Sequence, residues 1–88
     1  MPHFAYVPNG RVERVERVAS ASCLDGFGEE SEAVGQAFLA GLYPGTDSAD
    51  YVLTHYPSGQ ADPYPRGKYA GPGDLWDGTE FTVPPSPA

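Results

Sequence analysis

The sequence predicts a small α+β domain: a mostly antiparallel sheet built from two hairpins and a middle strand, covered by one helix. Three observations point there. Asn9-Gly10 separates two extended runs and Asp77-Gly78 separates two more, and such pairs are the strongest short hairpin signals. Val34, Ala37, Phe38, Gly41 and Leu42 recur at the spacing of one helical face. Residues 51–56, Tyr-Val-Leu-Thr-His-Tyr, have the β-branched and aromatic composition of a strand. Residues 1–83 read as one domain, and 84–88 as an extended proline-rich tail.

The first hairpin runs over 3–8 and 11–18. Its first arm alternates, with Phe4 and Tyr6 on one face and Ala5 and Val7 on the other. Asn9-Gly10 suits a type I′ turn, which needs positive φ at both central residues. The second arm spaces Val12, Val15 and Val18 by three, which fits neither a strand nor a helix. A strand with a bulge between Val15 and Val18 would return both to one face, and a helix is the rival reading. Residues 19–28 form a small-residue loop. The helix spans 29–43, with Glu29, Glu30 and Glu32 favoured by the dipole of its first turn and Pro44-Gly45 ending it. Gly41 on the apolar stripe predicts close approach to a strand or to another chain. Thr46 to Asp50 reads as turn and cap chemistry and lacks the ligand pattern of a calcium loop. The strand over 51–56 carries large groups on both faces, Tyr51, Leu53 and His55 against Val52, Thr54 and Tyr56, which predicts a central position. Residues 57–65 hold three prolines and run extended. Residues 66–77 hold Gly67, Gly71, Pro72 and Gly73 before the only Trp, the composition of a shaped, rigid loop. Phe81 and Val83 line one face of the last arm.

Eighty-eight residues with 21 Gly and Pro allow only a small core, burying about 60–65% of the unfolded surface. One cysteine precludes an internal disulfide, and no Cys/His cluster is spaced for structural zinc. No metal ligand set or cofactor motif emerges. Eleven aromatics argue against a disordered linker. The chain is therefore expected to lean on neighbouring subunits for stability.

The net charge is −7, and between Asp25 and Asp62 lie seven acidic residues and no Lys or Arg. That distribution argues against nucleic acid and against anionic membrane surfaces. It suits a solvated acidic face or a docking patch for a basic partner. No apolar run reaches the ~20 residues of a membrane span, and the N-terminus lacks the pattern of a secretory signal. Cys23 has no visible base beside it, so it reads as a packed thiol. His55 has no positioned nucleophile and orienting acid, so it reads as a hydrogen-bonded structural histidine. No catalytic residue is expected. The candidate partner-binding residues are Tyr64, Tyr69 and Trp76, with Pro84, Pro85 and Pro87 of the tail; aromatics are the usual hot spots. Trp76 has a rival reading as a core anchor.

The order of these pieces resembles a family of short virion or tail-fibre-associated proteins of tailed bacteriophages, including cyanophages. The matching residues are Met1, His3 to Ala5, Val7, Asn9, Gly10 and Val12; Gly35 to Phe38; Tyr51, Val52, Thr54 and Tyr56; and Arg66, Gly67 to Gly71, Gly73, Asp74, Asp77, Phe81 and Pro84. Pro72 stands where the family tends to an aliphatic residue, Leu75-Trp76 where it has Thr-Tyr, and Tyr51 where it often has Trp. The resemblance implies a non-enzymatic structural protein located in the virion. It would be present in many copies, most plainly tail- or tail-fibre-associated, and its partners would be other phage virion proteins. Two alternatives stand beside it. One is a capsid decoration protein; the other is a small acidic regulatory or inhibitor protein that binds a basic partner.

Overall fold

The computed structural model describes residues 2–29, 31–55 and 64–84. In order, its elements are β1 (His3–Tyr6), β2 (Arg14–Arg17), α1 (Glu32–Leu42), β3 (Tyr51–His55), β4 (Leu75–Trp76) and β5 (Phe81–Thr82). Single 3-10 turns lie at Ser20–Ser22 and Ser48–Asp50. The fold is α+β, as predicted. The two hairpins do not share one sheet. The first joins β3 in an antiparallel sheet of order β2-β1-β3, while β4 and β5 pair alone.

The three-stranded sheet separates two apolar clusters. Phe4, Val18, Cys23, Leu39, Tyr51 and Leu53 pack on the side of α1. Ala5, Val7, Val12, Val52, Ala70 and Phe81 pack on the other side, under the β4-β5 ribbon. The alternation expected in the first arm thus holds, with Phe4 on one side and Ala5 and Val7 on the other. The ribbon is tied to the second arm of the first hairpin. Trp76 N–H donates to Gly10 C=O (2.8 Å), Val12 N–H to Asp74 C=O (2.8 Å) and Gly73 N–H to Val12 C=O (2.9 Å).

Several expectations need correcting. Of Asn9 and Gly10, only Gly10 takes positive φ (77°). Gly10 N–H reaches Val7 C=O (3.4 Å), so the turn centres on Pro8-Asn9 and is not type I′. Pro8 presets φ for the first central position, and Gly10 takes up the left-handed step. No bulge lies between Val15 and Val18: β2 pairs regularly with β1, and these valines fall into opposite clusters. The irregularity comes one valine earlier, where both Glu13 N–H and the register partner Arg14 meet Tyr6. That step places Val12 and Val15 on the same side. The second hairpin turns through Asp77–Glu80 and not through a two-residue Asp-Gly loop, since Trp76 pairs with Phe81. The Asp77 carboxylate accepts from the N–H groups of Thr79 and Glu80, an Asx turn that takes the place of the tighter one. Phe81 is buried but Val83 is 68% exposed, because pairing stops at Thr82.

The helix begins at Glu32, capped by the Ser31 hydroxyl accepting from Val34 N–H (3.4 Å). Its orientation is the main departure from expectation. Gly35 and Leu39 are its buried residues, with Glu32, Gln36 and Tyr43 half-buried beside them, whereas Ala37, Phe38, Gly41 and Leu42 are exposed. At about 100° per residue, the packed face lies roughly 140° from the apolar stripe. Within the chain the close approach is at Gly35, and among the described residues no strand approaches Gly41. A Cβ on Gly35 would stand 2.4 Å from Phe4 Cζ, while one on Gly41 would meet nothing within 4 Å.

β3 is an edge strand and not a central one. Its residues Tyr51 to Thr54 are nonetheless buried on both faces. Its outer edge is covered by side chains of α1: Gln36 Nε2 donates to Tyr51 C=O (2.6 Å), and Leu53 N–H donates to Glu32 Oε2 (2.9 Å). These two polar groups occupy the positions a further strand would fill, which is one way a protein closes an exposed sheet edge.

Candidate functional site

Three features could engage another molecule, and each follows from how the elements are anchored. The first is the outward face of α1. Phe38 is 42% and Leu42 55% exposed, and in the loop before the helix Phe27 is 92% exposed. The Phe27 loop is a formed turn, because the Asp25 carboxylate accepts from Phe27 N–H (2.8 Å) and Glu29 N–H (3.1 Å). Such a turn presents the ring to solvent instead of letting it fold back.

The second feature is the segment 64–74, which overlaps the loop over 66–77 predicted to be shaped and rigid. Thr54 Oγ1, fully buried, donates to Lys68 C=O (2.9 Å) and accepts from Ala70 N–H (2.7 Å). Lys68 Nζ and Gly71 N–H both reach Asp74 Oδ2 (2.7 and 2.8 Å). Burial pushes the Asp74 carboxyl up, but these hydrogen bonds and the Lys68 charge outweigh it and hold the pKa below the usual carboxylate range. Gly67 and Gly73 take positive φ (96° and 92°), which a side chain would disfavour.

Pinned this way, Tyr69 lies against two histidines. β3 carries a bulge at Thr54, since His3 pairs with His55 while Phe4 pairs with Leu53. The bulge re-aims His55. It was expected to share the Tyr51/Leu53 face, but instead it meets His3, which lies on the Ala5 side of β1. The two Nδ1 atoms are 3.3 Å apart. Tyr69 contacts both imidazoles, and Tyr64 stacks on His55. Burial, then the neighbouring His55, the N-terminal amine and Arg17 hold the His3 pKa below its ordinary value. Among the described residues neither histidine hydrogen-bonds a carboxylate.

The third feature is a cleft of about 510 Å³ beside the covered edge of β3, lined by Glu32, Gln36, Val52, Arg66 and Trp76 among others. Its rim is fixed by Arg66 Nη2 donating to Glu32 Oε1 (2.7 Å). Arg66 C=O in turn accepts from Phe81 N–H (3.0 Å), so the ion pair joins the ribbon to the helix.

The residues singled out by sequence are thereby placed apart. Tyr64 and Tyr69 are each 43% exposed and share the histidine cluster. Trp76 is half-buried, packs on Phe81 with ring centroids 4.7 Å apart, and lines the cleft. Pro84 is half-buried. Pro85 and Pro87, like most of the stretch 57–65, lie outside the described residues. Cys23 is buried against Gly35, with Sγ 3.1 Å from where a Cβ would stand. Sequence reasoning overlooked Phe38 and Leu42 as exposed groups because apolar periodicity was taken to mark the buried face, and Phe27 because residues 19–28 were read only as a small-residue loop. It overlooked His3 because nothing in a spacing of 52 residues announces a cross-strand pair. No helix among the described residues is long and apolar enough to cross a membrane. Comparison with protein families, with curated proteins and with solved structures finds no match to this chain.

Proposed function

We propose that this chain is a non-enzymatic structural protein of a tailed-bacteriophage particle, tail- or tail-fibre-associated and held in place by protein–protein contacts repeated over many copies. The observation that carries the attachment half of this reading is the helix turned outward. Phe38 and Leu42 sit in solvent on a secondary element whose own core contacts are already satisfied through Gly35 and Leu39. An amphipathic helix laid into a partner's groove is a common recognition mode, read through residues at i, i+3, i+4 and i+7; Val34, Ala37, Phe38 and Gly41 stand at those positions. Weak contacts per copy become firm when a lattice engages many at once. The phage half of the reading rests on the end-to-end resemblance in the order of motifs.

Mass spectrometry of purified particles tests it. The protein should co-purify at several copies per particle. A Phe38→Asp, Leu42→Asp variant should still fold, with a loss of about 1–2 kcal/mol because both side chains are partly covered, yet be missing from the particles. Recovery of the wild-type chain only as free protein in the lysate would overturn the reading and favour the acidic regulator. A copy number equal to that of the capsid subunits would favour a decoration protein.

A further inference from the structure

We infer that His3 and His55 form a two-histidine chelate for a tetrahedral divalent ion of the zinc type, clipping β1 to β3. Three observations on separate parts of the chain lead there. The residues are direct register partners on adjacent antiparallel strands, and the bulge at Thr54 turns His55 to the face that His3 already occupies. Their Nδ1 atoms are 3.3 Å apart. Zinc–nitrogen bonds of about 2.0–2.1 Å at the tetrahedral angle require ligand nitrogens about 3.3–3.4 Å apart. Finally, the site is held from outside the strands. Tyr69 lies against both rings, and its backbone neighbours Lys68 and Ala70 are pinned to Thr54. An imidazole pair whose orientation is fixed before binding loses little freedom when an ion arrives.

With no ion, one Nδ1 must carry a proton and donate to the other, since two neutral lone pairs face to face repel. With zinc, each ring carries its proton on Nε2 and offers Nδ1, so no proton leaves the protein. No third His, Cys, Asp or Glu joins the pair among the described residues. The remaining coordination positions belong to water or to a ligand from another molecule. This distinguishes the site from the closed Cys/His set of a structural zinc module, which the sequence lacks. It is also independent of the phage reading.

The test is zinc chloride titrated into the full chain, without a histidine tag and in metal-free buffer, followed by calorimetry and by imidazole nitrogen NMR. Saturation at one ion per chain is expected, with the Nδ1 resonances of both histidines moving and both Nε2 nitrogens ending protonated, one of them having taken up the proton that its own ring's Nδ1 carried before zinc arrived. One ion per two chains with the same Nδ1 changes also supports the proposal, a second copy then filling the open positions. His3→Gln and His55→Gln keep a hydrogen-bonding group in place, and each should lose the saturable phase. The NMR readout on the wild-type chain does not depend on either variant folding. No saturable binding, binding through Nε2, or binding that survives both replacements would overturn the assignment.

Discussion

Replacing each of two helical glycines by alanine separates the packed face of α1 from its apolar stripe. At Gly35 the added Cβ would lie 2.4 Å from Phe4 Cζ, 2.8 Å from Phe4 Cε1 and 3.1 Å from Cys23 Sγ. Carbon atoms in contact sit about 3.5–4.0 Å apart, so the ring must retreat by more than an ångström. It has nowhere to go, since Phe4 is 1% exposed among Val18, Leu39, Tyr51 and Leu53. Overpacking costs about 1–3 kcal/mol, and an overlap this large belongs in its upper part, about 2–3 kcal/mol, while the helix-propensity gain over glycine returns about 0.8–1 kcal/mol. The net for Gly35→Ala is a loss of about 1–2 kcal/mol. For a chain of this size that lowers Tm on the order of 5–15 °C. Gly41→Ala meets nothing within 4 Å, so only the propensity term remains and Tm should rise by several degrees. Thermal and urea unfolding followed by circular dichroism measures both. Phe4→Leu in the Gly35→Ala background should recover part of the loss, a coupling that a double-mutant cycle isolates. Equal responses at the two positions, or a stabilising Gly35→Ala, would refute the orientation of the helix.

Three further outcomes follow from single contacts. Glu32→Ala and Gln36→Ala each strip a partner from the β3 edge, at Leu53 N–H and Tyr51 C=O respectively. Each should cost about 1–3 kcal/mol, and the double variant should scatter light on concentration as the bared edge pairs between molecules. Thr54→Val keeps the side chain's shape but deprives Ala70 N–H and Lys68 C=O of their partner. A loss of about 1–3 kcal/mol, with faster amide exchange at Ala70 than at Leu53, distinguishes this from general loosening. For Asp74, the folded pKa lies below the unfolded value of 3.8. Its contribution is therefore fully present above about pH 4 and is lost as pH falls through the lower folded value. Urea midpoints measured from pH 7 to pH 2 should fall more steeply below pH 4 in the wild type than in Asp74→Asn, and identical slopes would show that Asp74 makes no such contribution.

What the sequence revealed and what it hid divide along a physical line. Elements governed by local chemistry were legible: the alternation of β1, the β-branched run of β3, the stop of α1, and the glycine-rich loop before Trp76. Features governed by what lies across the fold were not. The three-residue valine spacing in the second arm has no local solution, and only pairing with Tyr6 shows where the extra residue sits. β3 looked central because both faces are apolar, yet burial of the faces says nothing about the edges, and its outer edge is closed by two polar side chains from α1. Among the candidate residues, Tyr64 and Tyr69 were visible as aromatics in a constrained loop. The histidines behind them were not, because a bulge decides which way His55 points and no local signal marks a bulge at Thr54.

The orientation of α1 follows from the same edge. A helix docked on its apolar stripe would bury Phe38 and Leu42 but swing Glu32 and Gln36 away from β3, leaving Tyr51 C=O and Leu53 N–H without partners beside a packed core. Unsatisfied buried backbone groups cost about 1–3 kcal/mol each. The stripe face would also put Phe38 where Gly35 now admits the Phe4 ring. Sealing the edge while seating Phe4 therefore outweighs the burial of two side chains that are already partly covered. The consequence, among the described residues, is an outer edge of β3 that is sealed from within the chain and a helix that leaves Phe38 and Leu42 exposed. That surface gains stability only from another molecule, at about 25 cal/mol for each Å² covered. A fold that settles its polar requirements internally and leaves its hydrophobic ones outward is physically suited to attachment, and this is why the helix face, more than any aromatic in the loops, is the place to test for a partner.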